Sequence, residues 1–88
     1  MKEYDKILNE AYLQIKNGNI KPIEDILKLA REEYPPAEFL LGELNELNFG
    51  NTTEAAKWYK IAANHGHAMA QQKYTDLLEK TESAGWKY

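Results

Sequence analysis

Apolar residues along this chain recur at the three-and-four spacing of amphipathic helices, and no stretch alternates with the period of two that a half-buried strand needs. Tyr4, Ile7, Leu8, Ala11, Tyr12 and Ile15 make one broad stripe. Ile23, Ile26, Leu27 and Ala30 make a second, and Ala37, Leu40, Leu41 and Leu44 a third. Ala55, Tyr59 and Ala62, widened by Trp58 and Ala63, form a fourth, and Ala70, Tyr74, Leu77 and Leu78 a fifth. The pattern predicts an all-α protein of about five helices.

The stripes are separated by residues that stop and start helices. Gly18-Asn19 and Gly50-Asn51 each pair a residue tolerant of positive φ with a good capping residue. Asn51-Thr52-Thr53-Glu54 has the form of a capping box, with Asn51 as the cap and Glu54 reaching back. Pro22 fits only a first turn. Pro35-Pro36 drives Tyr34 out of helical geometry and then opens the third helix, where a missing N–H does no harm. Gly66 ends the fourth.

Residues 8–30 align without gaps to residues 40–62, a shift of 32, so that Leu8 falls on Leu40, Ile15 on Leu47, Gly18 on Gly50 and Ala30 on Ala62. A period in the thirties with two helices per unit marks a helical-hairpin solenoid, in which each hairpin buries its face against the next. The chain divides into a hairpin over 3–33, a second over 35–64 and a capping helix over 67–82, a single domain spanning 1–82, with a tail at 83–88.

Composition narrows the function. At 88 residues there is room for one domain with a thin stability margin. A 43% hydrophobic, 28% charged chain with net charge -3 describes a soluble globular protein rather than a membrane or disordered one. The 11 basic residues are scattered among 14 acidic ones, without the cluster that phosphate backbones require, so direct nucleic-acid binding is not expected. Cysteine is absent, which excludes disulfides, thiolate metal sites and a cysteine nucleophile. Charges interrupt MKEYDKILNE where a secretory signal would need an apolar core, and no apolar run is long enough for a membrane; the chain reads as cytoplasmic.

One part of the chain resembles a known family. Ala37 and Leu41-Gly42, then Glu54-Ala55-Ala56-Lys57-Trp58-Tyr59-Lys60 with Ala62-Ala63, then Gly66-His67-Ala68 and Ala70, are similar to the Sel1-like repeats, a subgroup of the tetratricopeptide-like solenoids. The resemblance covers residues 35–74; residues 1–34 are tied to it only through the internal repeat. Asn48-Phe49-Gly50-Asn51 is shorter than the family's usual glycine-rich loop, Asn45 and Glu46 stand where aromatics are common, and Tyr74-Thr75 replaces the last Leu-Gly pair. What the resemblance implies is a short right-handed α-solenoid, two hairpins plus a capping helix, acting as a protein-interaction adaptor with no catalysis and no cofactor. The first helix of each unit would line a concave surface. Fold-level analogy of this kind supplies an expectation about function and nothing firmer.

The candidate chemistry is sparse. His65-Gly66-His67 could be read as a metal or acid/base pair, but zinc wants further ligands and no third histidine exists. The structural reading is a joint: Gly66 ends a helix in the left-handed conformation, His65 sits in the last turn and His67 starts the next helix. Trp58 and Tyr59 read as core rather than as a ligand platform. Glu32-Glu33 and Glu24-Asp25 are adjacent on helices, so their carboxylates diverge. No phosphate loop or serine elbow is present.

Charge points to a surface instead. Every charged residue between Arg31 and Lys57 is acidic. On the third helix Phe39, Glu43 and Glu46 lie away from the core stripe; the repeat carries them to Ile7, Ala11 and Gln14, and the family alignment to Gln72, Asp76 and Glu79. A groove floored by these nine residues, apolar at one end and acidic at the other, would suit a protein partner with an apolar anchor and Lys or Arg. An inhibitor or immunity-type protein that blocks a target enzyme or nucleic-acid-binding complex is the alternative, and a metalloenzyme using His65 and His67 ranks third. A solenoid this short leaves an end face that Trp86 and Tyr88 could cover or turn into a homodimer contact.

Overall fold

The computed structural model describes residues 2–85, with side chains over 4–80; Trp86 and Tyr88 therefore lie outside the described residues. Five α-helices follow in order: α1 (Lys2–Lys16), α2 (Ile23–Arg31), α3 (Pro35–Glu43), α4 (Thr52–Asn64) and α5 (Ala68–Gly85). A π-helical turn, Leu44–Asn48, continues α3. No strand occurs among the described residues. The all-α, five-helix expectation holds. None of the described helices is long and apolar enough to cross a membrane.

Helix ends follow local chemistry. α1 stops at Gly18 (φ +101), where the Asn19 N–H reaches the Gln14 carbonyl at 2.9 Å and the Gly18 N–H reaches Ile15 at 3.0 Å. α4 stops the same way at Gly66 (φ +95), through His67 N–H to Ala62 O and Gly66 N–H to Ala63 O, both 3.0 Å. The stop after α2 uses the same pair of bonds, Tyr34 N–H to Leu29 O at 3.2 Å and Glu33 N–H to Ala30 O at 2.9 Å, but puts Glu33 in the left-handed position at φ +63. Tyr34 is extended (φ -88, ψ 108) and α3 opens on Pro35, as the double proline demands. Asn51 caps α4 by accepting the Glu54 N–H at 3.1 Å. The Glu54 carboxylate turns instead to Lys57 at 3.6 Å, so only the Asn51 half of the expected capping box forms.

Each helix packs on the next in chain order. The start of α1 meets the end of α2 through Tyr4 OH to Glu32 at 2.8 Å. The start of α3 meets the end of α4 through Glu38 and His65, while Phe39 against His67 and Glu46 against Lys73 set α5 parallel to α3. Extents of 46 × 29 × 16 Å and a radius of gyration of 13.4 Å describe a slab somewhat longer than a sphere of this chain length, for which about 12 Å is expected.

The main core joins α1, α2 and α3 through Leu8, Ala11, Ile15, Ile26, Leu29 and Leu41, with Trp58 at its rim. A second cluster, Ala55, Tyr59 and Leu77 with Phe39 and Tyr74 against it, joins α3, α4 and α5. Gly42 makes that second cluster feasible: a Cβ there would lie 2.5 Å from two ring carbons of Tyr59. The Leu41-Gly42 pair thus brings one helix to the core and lets an aromatic ring pack closely on its backbone. Tyr59 is fully buried as a result.

The π turn is the main departure from the repeat. In it the Phe49 N–H bonds the Leu44 carbonyl at 3.0 Å and the Asn51 N–H bonds Asn45 at 2.7 Å, so the backbone winds more slowly than an α-helix. Leu47, the counterpart of buried Ile15 in the 32-residue shift, is consequently 69% exposed.

Candidate functional site

α1 and α3 leave an open depression between them. Leu8 and Tyr12 from one side and Phe39 and Leu40 from the other give it an apolar floor, with the carboxylates of Asp5 and Glu43 on its walls. α1 supplies Asp5, Leu8 and Tyr12 because these positions recur three and four apart on a single helical face. Phe39 and Glu43 share a face of α3 for the same reason.

Both acids are held by specific neighbours. Asp5 accepts a hydrogen bond from the Tyr34 hydroxyl. That bond, reinforced by burial and by the charge of Asp5, pushes the Tyr34 phenol up to about 12. Tyr34 also packs edge-on against Tyr4, with ring centroids 5.0 Å apart. Burial raises the Glu43 carboxyl above its ordinary value, Lys73 pulls it back down, and Glu46 adds a further upward push.

The nine residues expected to floor one groove do not all line one depression. Phe39 and Glu43 line the α1–α3 depression. Ile7, Ala11 and Gln14 face the start of α2 beside Pro22 and Asp25, and Ala11 is buried. Glu46, Asp76 and Glu79 lie together between the end of α3 and α5. Gln72 donates to Asp76 along α5 at 3.0 Å. The residues of α1 that face Phe39 are therefore Leu8 and Tyr12, one position along from those the repeat shift selects.

The acidic end is also less acidic than the sequence suggests. Glu46 accepts the Tyr59 hydroxyl at 2.7 Å and lies 3.6 Å from Lys73 and 4.0 Å from Lys80. Its side chain is only 14% exposed. Lys73 Nζ sits 5.9 Å from the centre of the Tyr59 ring, a cation placed against an aromatic face. Burial, then the bond to Glu46 and the charges of Glu46 and Glu43, raise the Tyr59 phenol far above its usual value. Glu46 is thus an internal tie between helices. Two ammonium groups offset much of the charge of the three carboxylates there.

The histidines form a joint with two different hydrogen-bonding roles. His65 caps the C-terminus of α4, and its Nδ1 lies 2.9 Å from both oxygens of Glu38. Glu38 is the buried charged residue of the described chain, 1% exposed. Its bond, together with the charges of Glu38 and Glu33, raises the His65 imidazole above its ordinary value, against a lowering by desolvation. His67 stacks on Phe39 with centroids 4.3 Å apart and rings 15° from parallel. Its Nδ1 accepts the Ala70 N–H at 3.2 Å, capping α5. Among the described residues no group of three or more His, Asp or Glu could hold a metal ion.

Sequence reasoning passed over Glu38, Tyr34 and Lys73. A faint signal existed for Glu38, which precedes Gly42 by one turn and neighbours Ala37 on the inward side of α3. Compared with known proteins, the chain matches no family model, no curated protein and no solved structure.

Proposed function

We propose that this chain is a non-catalytic protein-interaction module of the Sel1-like, hairpin-solenoid type, and that the α1–α3 depression receives its partner. The observation that carries this reading is the pairing of an open floor of Leu8, Tyr12, Phe39 and Leu40 with carboxylates at Asp5 and Glu43. An apolar side chain flanked by Lys or Arg would meet both features. The resemblance of residues 35–74 supports it, and so do helices that pack in chain order. Gly42 beneath Tyr59 gives the family-like Leu-Gly pair a packing reason in this chain.

The test is affinity capture with the intact protein, repeated with Asn9→Arg and Glu43→Lys, both in the walls of the depression. Loss of the same specific protein from both variants, at unchanged melting temperature, is the expected result. A capture profile identical for wild type and both variants would remove this depression as the binding site.

A further inference from the structure

Two flanks of the molecule carry hollows of opposite charge. α1 turns Leu8 and Tyr12 toward α3, which leaves Ile7 and Glu10 on its other flank, beside α2. There Ile7 and Asp25 line two adjoining hollows, in which the acids Glu10, Asp25 and Glu32 outnumber Lys21 and Lys28. Packing in chain order puts the α4–α5 pair at the other end of the stack. A hollow between those helices is formed by Ala56, Tyr74 and Leu78, and its charged lining residues are Lys57 and Lys60. Ile7 and Leu78, one apolar side chain from each flank, are both 40% exposed. Charges of both signs remain available: Lys57 reaches Glu54 with its own side chain 66% exposed, and Lys60, Glu10 and Asp25 enter no ion pair among the described residues.

We propose that this chain associates head to tail with a second copy of itself, the α1–α2 flank of one copy seating on the α4–α5 hollow of the next. Ile7 of one copy meets Tyr74 and Leu78 of the other, and Glu10 and Asp25 face Lys57 and Lys60. The occupant is a second copy because each flank supplies the charge that the other lacks. Two like flanks brought together would set lysine against lysine, or acid against acid. Contact between unlike surfaces leaves one flank of each kind open at the ends of a pair, so association continues past the dimer unless a ring closes. Asp5, Leu8 and Tyr12 lie on the opposite flank of α1, so the α1–α3 depression stays open and the contact is independent of what binds there.

Sedimentation velocity of the intact chain from about 10 μM to about 1 mM, a range that spans weak self-association, tests it. The expected result is a mean mass that rises with concentration. Ile7→Gln, Leu78→Gln and Lys60→Glu should each weaken association about tenfold at unchanged melting temperature. An equimolar mixture of Ile7→Gln and Leu78→Gln retains one intact flank of each kind, so it should recover wild-type affinity and stop at the dimer. A monomer throughout the range, as when residues 86–88 or another protein occupy the α4–α5 hollow, would overturn the proposal. So would a dimer that only one of the two glutamine variants affects, the mark of like surfaces meeting, association untouched by Lys60→Glu, or a mixture that associates no better than either variant alone.

Discussion

His65 Nδ1 stands 2.9 Å from both carboxylate oxygens of Glu38, a side chain only 1% exposed, so the C-terminus of α4 is tied to the first turn of α3 by a partly solvated imidazole and a sealed acid. The folded state raises the His65 value above 6.5, chiefly through the bond to Glu38. For a raised base, the stabilisation is fully present below the unfolded value of about 6.5 and is lost as pH rises through the folded value. Urea unfolding of wild type and His65→Asn between pH 6 and 9 should therefore give a stability gap that narrows as pH rises. A gap that widened with pH would contradict the pairing.

Gly42 tests the contact between α3 and the second core. A methyl group added there collides with a buried ring rather than with a flexible chain end. Gly42→Ala should cost about 1–3 kcal/mol despite alanine's better helix propensity. Thermal or urea unfolding measures it, and a stabilised variant would show that Tyr59 is not seated on this backbone.

Glu33 offers the opposite sign. It occupies a left-handed conformation at φ +63, the role Gly18 and Gly66 fill in the equivalent stops. Removing the Cβ relieves a strain of about 1 kcal/mol, while the 4.0 Å contact to His65 that would be lost involves a carboxylate 76% exposed and screened by water. Glu33→Gly should raise stability by roughly 0.5–1 kcal/mol, readable as a shift in the denaturation midpoint.

Ile15 and Leu47 are equivalents in the repeat with opposite fates, 4% and 69% exposed. Ile15→Ala should cost about 2–4 kcal/mol, whereas Leu47→Ala should change stability by less than about 0.5 kcal/mol. Equal losses at both positions would mean that the end of α3 keeps the α-helical phase of α1.

What was legible in the sequence rested on local chemistry. The stops at Gly18 and Gly66, the cap at Asn51 and the opening of α3 at Pro35 each depend on the φ preference or side-chain reach of one or two residues. The core of α3 was equally plain because Ala37, Leu40, Leu41 and Leu44 repeat along one face. The candidate groove was harder. A shift of 32 residues assumes that equal sequence positions point in equal directions, yet α1 turns Leu8 and Tyr12, not Ile7 and Ala11, toward Phe39 and Glu43.

The sequence by itself determined five helices, their order and their ends, because periodicity and capping are properties of neighbours along the chain. Tertiary structure alone decided that Glu38 is buried against His65, that Glu46 serves Tyr59 and Lys73 instead of an open acidic face, and that His67 lies on Phe39. In each case a polar group acquires its role from a residue on another element, or from a ring stacked across a joint. No spacing rule along the chain encodes such partners until the helices have packed.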